Sequence, residues 1–390
     1  MSLPTPSDDA QDASRTLSAR IAARIEAHDG WLPFVDFMDM ALHLPGLGYY
    51  AGGSLKFGPA GDFVTAPELT PLFGQALARQ VAQVLAVPHT GHSISPESTF
   101  VLEVGAGSGR LAADLLLALE ALGSLPTQYF ILELSGELQA RQRETVLSAV
   151  PHLAERVVWL DALPERFSGC VVANELLDAL PTHAVAWRED GLMERGVTFS
   201  QGRFGWAERP APTALAGAMS ALPVTASYES EISLAARAWV AEWGHRLERG
   251  ALLLIDYGLP RHELYHPQRN GGTLRCHYRQ QVHDDPFWWP GLSDITSHVD
   301  FTAVADAGFD AGLDVMGYTG QASFLINCGI GDLLAERQQA GGEQAVRANG
   351  AAQVLLAPGE MGELFKVIAL GRGLDVPLIG FQRGDRRHAL

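Results

Sequence analysis

The sequence predicts an α/β protein built on a mostly parallel sheet with helices on both faces, and three observations predict it. Short apolar runs alternate with helical segments: Phe100–Val104, Tyr129–Leu134, Val157–Leu160, Cys170–Ala173 and Ala251–Ile255. That rhythm calls for parallel strands joined by crossover helices. Each run carries an acid or amide at its carboxyl end, namely Glu103, Glu133, Asp161, Asn174-Glu175 and Asp256. Open α/β sheets bind their ligands at those ends. Finally, Gly105, Gly107 and Gly109 alternate directly after the first run and lead into a helix over Leu111 to Leu122.

Taken in order, the chain opens with residues 1–13, polar and interrupted by Pro4 and Pro6, which predict a disordered tail. Leu17, Ile21 and Ile25 recur at four-residue spacing, so residues 14–29 form an amphipathic helix. A second helix covers Phe34 to Leu44 and is stopped by Pro45-Gly46. Gly48-Tyr49-Tyr50 and the stretch from Gly61 to Glu68 are rich in glycine and aromatics without a period, as in a loop folded over a ligand. A helix over Leu72–Val87 and a linker at 88–98 complete an N-terminal helical and lid region, 14–98. The α/β core occupies 99–183 and 251–370. Residues 184–250 interrupt it with short strands (Ala184–Trp187, Leu192–Phe199, Phe204–Ala207) and a helix over Glu231–Leu247. Residues 259–298 predict a long irregular loop on the substrate side, packed by Phe287, Trp288 and Trp289. Beyond it a helix over 300–307, a strand near Leu313–Tyr318, helices over 321–340 and a last strand over Glu363–Leu370 precede a basic tail, 371–390.

A chain of 390 residues with a net charge of -17 is large enough for a sizeable core and poorly suited to holding nucleic acid by its phosphates. Its three cysteines are far apart and form no C-x-x-C pair, which points to a reducing compartment. No apolar stretch reaches the ~18 residues that span a bilayer. The N-terminus, with Asp8, Asp9 and Asp12, suits neither a secretory signal nor a transit peptide, so the expected location is cytoplasmic. The histidines show no H-E-x-x-H arrangement and no metal is expected; there is no G-x-S-x-G nucleophile turn.

The glycine turn is the first feature that carries chemistry. A dinucleotide fingerprint, G-x-G-x-x-G, would place a glycine where Arg110 stands. The pattern is instead E-x-G-x-G-x-G, with Glu103 in the last turn of the strand. An acid there repels a pyrophosphate but suits a ligand bearing a sulfonium and an ammonium group and no phosphate. S-adenosyl-L-methionine, which leaves as S-adenosyl-L-homocysteine, meets that description; Gly105, Ala106, Gly107 and Gly109 would frame it. Glu133, with Leu134 beside it, is placed to accept the ribose hydroxyls, Asp161 to meet the adenine amino group, and Asn174 to line the same crevice. If residues 175–180 form a helical turn, Glu175 and Asp178 share a face and can grip a planar guanidinium. They could equally cap a helix or pair with nearby arginines.

Several phrases together resemble the MidA-type methyltransferases, the family that includes the mitochondrial assembly factor of respiratory complex I. They are Gly48-Tyr49-Tyr50, Gly61 to Glu68, Leu102 to Gly109, Ala173 to Pro181, Asp256-Tyr257-Gly258, Gly272 to Arg275, Asp294 to Phe301 and Phe365-Lys366-Val367, in order over most of the chain. The resemblance implies a class I S-adenosylmethionine-dependent methyltransferase with a Rossmann-like, mostly parallel seven-stranded sheet and family-specific additions. It implies a protein substrate methylated on arginine, as the mitochondrial relatives symmetrically dimethylate a complex I subunit. It puts Gly105, Gly107 and Glu133 at the cofactor, and Thr65, Pro67 and Glu68 in the phrase that closes over it. On the acceptor side Glu175 and Asp178 would orient the guanidinium, with Asp256 and Tyr257 lining the site. The enzyme would act as a monomer or homodimer. Two rivals remain open: an assembly module that keeps the fold as a scaffold, and an NAD-dependent oxidoreductase, which Arg110 disfavours.

Overall fold

The computed structural model describes residues 3–52, 64–87, 99–219, 222, 224 and 227–390. Most of the loop expected over the ligand (53–63) and the linker at 88–98 lie outside these residues. The chain divides into two compact units.

One unit comprises Val64–Leu176, Trp239–Gly258 and Ala303–Leu390. Its sheet is built from β1 (Phe100–Val104), β2 (Gln128–Leu132), β3 (Val157–Leu160), β4 (Phe167–Asn174), β5 (Leu247–Leu259), β6 (Asp314–Gly320) and β7 (Phe365–Arg372). Along the sheet the order is β6-β7-β5-β4-β1-β2-β3. The pairings among these strands are parallel except those of β7, which runs antiparallel to both β5 and β6. This is the mostly parallel, Rossmann-like sheet expected from the sequence. Central β4 is buried along nearly its whole length, as a strand covered on both faces must be. The order reverses beside β1: β2 and β3 lie to one side and β4 and β5 to the other, which opens the crevice in which such sheets bind ligands.

Three helices position that crevice. Helix α1 (Pro71–Leu85) has Thr70 as its N-cap, whose hydroxyl accepts the Leu72 amide at 3.3 Å. Helix α2 (Arg110–Ala121) follows the glycine turn, and α3 (Gly136–Ala149) follows β2. Gly74 lets α1 lie close on α2: a Cβ there would sit 2.8 Å from the Asp114 Cβ. Leu77, Val81, Leu115, Leu119, Val101 and Ile131 belong to the core between helices and sheet.

The other unit comprises Met1–Phe63, Leu177–Ala238 and Leu259–Thr302, so the N-terminal helices, the inserted strands and the long loop belong together. Its helix Asp8–Glu26 starts inside the stretch expected to be disordered, because Ser7 caps it and Leu17, Ile21 and Ile25 bury an apolar stripe. Strand Leu32–Pro33 joins the inserted sheet, Leu32 opposite Val197, and strands His183–Arg188, Gly191–Ser200, Arg203–Pro210 and Tyr228–Ile232 complete it. Arg188 binds Glu208 and Glu229 across it, each at 2.5 Å. The 259–298 stretch is not a structureless loop. Strands Gln281–His283, Arg275–Tyr278 and Asp294–Thr296 form a small antiparallel sheet.

Two further features belong to the carboxyl-terminal third. A helix at Gly342–Leu356 follows the expected helical stretch. The basic tail is held in place, since the Arg386 amide donates to the Tyr318 carbonyl at 2.6 Å.

Candidate active site

The site is assembled at the carboxyl ends of β1, β2, β4 and β5. At the end of β1 the glycine turn takes φ values of 71° at Gly105, 53° at Gly107 and 81° at Gly109. Only glycine adopts these without strain. Space forbids a side chain at Gly109, whose Cβ would lie 2.9 Å from the Gln142 Cα, and leaves little at Gly105, whose Cβ would lie 3.2 Å from Leu176 Cδ1. Ser108, between the glycines, donates its hydroxyl to Glu68, which the short helix Ala66–Leu69 presents. Thr65 is the N-cap of that helix and Pro67 is buried within it, so the Thr65-Pro67-Glu68 phrase is fastened to the turn by one carboxylate.

Arg110 occupies the first position of α2, where its charge would favour a phosphate. Its Nε instead donates to Asp114 at 3.1 Å, a carboxylate only 6 % exposed. Burial raises the Asp114 carboxyl above its usual range, and Arg110 pulls it back. The cation is thus neutralised from below the turn. A glycine turn at a helix start whose Arg110 is paired with Asp114 fits a ligand that carries no phosphate.

Glu103 is placed differently from the expectation that it faces the ligand. It is 2 % exposed and its carboxylate accepts the Tyr129 hydroxyl at 2.6 Å. Burial raises its pKa to about 7, the Tyr129 hydrogen bond opposes this, and the charge of Glu133 adds to it. Glu103 therefore supports the turn from within the sheet.

Glu133 stands just beyond β2. Its Oε1 accepts the Ser135 amide at 2.9 Å and its Oε2 accepts Gln142 Nε2 at 3.1 Å. Beside it Leu134 is 84 % exposed, an apolar side chain left in the open at the crevice. Asp161 is exposed just past β3. On β3 itself, Trp159 donates its Nε1 to Gln142 Oε1 at 3.0 Å and carries the Arg143 guanidinium over its ring at 3.9 Å.

The acceptor-side residues show the largest departure from expectation. Residues 175–180 do not form a helical turn. Glu175 has φ of 52°, a left-handed conformation unusual for a side chain of its size. Two backbone donors of the turn hold it there, and a third fixes the carboxylate that accepts one of them. The Glu175 amide bonds the Ile255 carbonyl at 2.8 Å, while Asp256 accepts the Leu176 amide at 3.1 Å and the Tyr257 amide at 2.9 Å. Asn174 Nδ2 reaches Glu175 Oε1 at 3.0 Å, and Asn174 Oδ1 is buried without a hydrogen-bond partner. Asp256 is 1 % exposed, so it braces the Glu175 turn rather than lining an acceptor surface. Its neighbour across the β5–β7 ladder is Lys366, 3 % exposed, and the Tyr257 ring packs on Phe365 with centroids 4.4 Å apart. Asp178 does not share a face with Glu175. It belongs to the other unit, where its carbonyl accepts the Ser297 amide at 3.0 Å. In that unit Tyr50 donates to Asp294 at 2.8 Å; burial and the charges of Asp294 and Asp178 push its hydroxyl pKa up.

The sequence reading missed Gln142, Tyr129 and Lys366. Gln142 left a signal: it sits in the middle of the buried Leu138-Gln142-Val146 stripe of α3, where an apolar residue belongs. Among the described residues no group of three histidine, cysteine or acidic side chains is arranged to hold a metal. No helix among them is long and apolar enough to cross a membrane.

With this geometry in hand, the comparisons decide the family. Residues 76–319 match a family model described as "Putative S-adenosyl-L-methionine-dependent methyltransferase". The chain belongs to this methyltransferase family. A crystal structure from Burkholderia thailandensis, bound to S-adenosyl-homocysteine, is 50 % identical over 100 % of both chains, with a TM-score of 0.95. The chain is also 26 % identical to the Drosophila melanogaster protein arginine methyltransferase NDUFAF7 homolog, over 97 % of this chain and 91 % of that protein. The Danio rerio NDUFAF7 is likewise 26 % identical, over 92 % and 87 %. The methyltransferase uses S-adenosyl-L-methionine, and the neutralised glycine turn fits it.

Proposed function

We propose that the enzyme methylates arginine side chains of a cytoplasmic protein partner, and that the modification is symmetric dimethylation. The observation that carries this reading is Glu175, a carboxylate held in a left-handed conformation at the carboxyl end of β4 by the hydrogen bonds of its own and the Leu176 amide. Such strain persists only where surrounding structure enforces it, and it concentrates at functional sites. The names of the Drosophila melanogaster and Danio rerio relatives, both protein arginine methyltransferases, support the choice of arginine.

In this reading Gly105, Ala106, Gly107 and Gly109 admit the cofactor's backbone-close portion and Glu133 receives its ribose. Asn174 lies against the reacting end, Leu134 covers the base, and Asp161 meets the base's amino group. S-adenosyl-L-methionine supplies an electrophilic methyl group on sulfur. Glu175 holds the guanidinium by a charge-assisted pair, localises its charge away from the attacking nitrogen and receives the proton that nitrogen loses. Displacement at a methyl carbon depends mainly on alignment, which the braced Glu175 turn provides.

The test is transfer of a labelled methyl group into lysate of a strain lacking the enzyme, followed by mass spectrometry of the labelled protein. Label on an arginine of one protein is the expected result. Label confined to lysine, a small molecule or nucleic acid would sink the reading.

A further inference from the structure

We infer that Gln142 is a positioning residue for the cofactor, tying the ribose carboxylate of Glu133 to the glycine turn. The inference rests on the ribose role proposed for Glu133. Gln142 is fully buried, yet its amide uses both donors and its acceptor on three different strand ends. Nε2 donates to the Gly107 carbonyl at 3.1 Å and to Glu133 Oε2 at 3.1 Å, and Oε1 accepts Trp159 Nε1 at 3.0 Å. The orientation of the amide is forced, because a carbonyl and a carboxylate only accept and an indole N–H only donates. No smaller or apolar side chain joins β1, β2 and β3 in this way.

The neighbours on α3 repeat the pattern. Gln139 Nε2 donates to the Glu133 carbonyl at 2.7 Å, and Thr145 Oγ1 donates to the Ser108 carbonyl at 2.7 Å. Residues 139, 142 and 145 recur at three-residue spacing, so one polar edge of α3 grips the β1 turn and the end of β2. Gln142 is the member that touches both at once. A ligand whose ribose is read at Glu133 and whose remainder lies along the turn needs those two elements in fixed separation, and Gln142 sets it. The buried polar stripe on α3 thereby acquires a purpose that core packing alone does not give it.

The experiment is calorimetric titration of S-adenosylhomocysteine into the wild-type enzyme, Glu133→Gln, Gln142→Leu and the double variant. Gln142→Leu removes a bond to a charged group, so its affinity should fall about ten- to a hundredfold. Because Gln142 acts through Glu133, the double variant should be no more than about threefold weaker than Glu133→Gln alone. A Gln142→Leu affinity within twofold of wild type, with Glu133→Gln weakened, overturns the inference alone. Unchanged binding by Glu133→Gln removes the ribose role and the inference together. Full multiplication of the two losses also overturns it, since the residues would then act separately.

Gln142→Glu covers the case in which leucine prevents folding. It keeps the acceptor for Trp159 but sets two carboxylates side by side, and one of them must then take up a proton. Its affinity should fall more steeply than that of the wild type as pH rises from about 5 to 8, because the titration of Glu103 beneath the turn is common to both. A profile for Gln142→Glu no steeper than that of the wild type would count against the inference even without the leucine variant.

Discussion

Two turns at the carboxyl edge of one sheet solve the same problem in opposite ways. After β1 the backbone enters the left-handed region at Gly105, Gly107 and Gly109, where it costs nothing sterically. After β4 it enters the same region at Glu175, where the cost is about 1–2 kcal/mol and has to be offset from outside. Asp256 and the Ile255 carbonyl supply that offset by accepting the Leu176 and Glu175 amides. The first turn is built into its own residues. The second is built by its neighbours, and it ends with a carboxylate aimed by constraint.

The largest expected effect breaks the second turn's function without touching its shape. Glu175→Gln should lower methyl transfer to the protein substrate by about 10²–10⁴-fold, measured in single turnover, while S-adenosylhomocysteine binding holds. Wild-type transfer by this variant would leave the strained turn without a chemical role. Removing the brace comes next. Asp256→Ala orphans the Leu176 and Tyr257 amides. Unfolding by urea should show a loss of about 2–4 kcal/mol.

The contrast also explains what could be read in the chain. The glycine turn was visible because its shape is local: a spacing of glycines after an apolar run. The sheet was visible because buried parallel strands are continuous apolar runs, as β4 and the 251–255 part of β5 are. The contacts of Asp256 and Asp178 were not legible because they are made with partners far away in the chain. Asp256 serves the backbone of a residue 80 positions earlier. Asp178 falls in the other unit, a division that no spacing between 175 and 178 announces. Likewise the 259–298 stretch showed no period because its strands are only three or four residues long, too short for alternation to register.

Glu103 sharpens the comparison from the first turn's side, since its charge is managed by burial and not by the ligand. Its pKa is raised from 4.5 to about 7, so between those values the folded chain holds a proton that the unfolded chain has released. Stability contributed by this group therefore falls as pH rises from about 4.5 to 7 and is level above that. Across that window the loss is on the order of 3 kcal/mol. Glu103→Gln keeps an acceptor for Tyr129 and does not titrate, so its stability should gain on the wild type over this range. Thermal or urea unfolding of the pair at pH 5, 6, 7 and 8 checks this; parallel curves would mean that Glu103 stays charged when buried.

The smallest effect comes from exchanging the two solutions. Gly105→Ala forces a Cβ into the left-handed region and 3.2 Å from Leu176 Cδ1, so it should cost about 1–2 kcal/mol. Glu175→Gly does the reverse. It relieves about 1–2 kcal/mol of strain and loses about 0.4–1 kcal/mol to the greater freedom of glycine in the unfolded chain. The net is a gain of up to about 1.6 kcal/mol, accompanied by loss of methyl transfer. A variant that is more stable and inactive would locate the cost of the reaction in one backbone conformation. If Glu175→Gly instead destabilises, the Glu175 side chain contributes more to holding the turn through Asn174 than the strained backbone takes away.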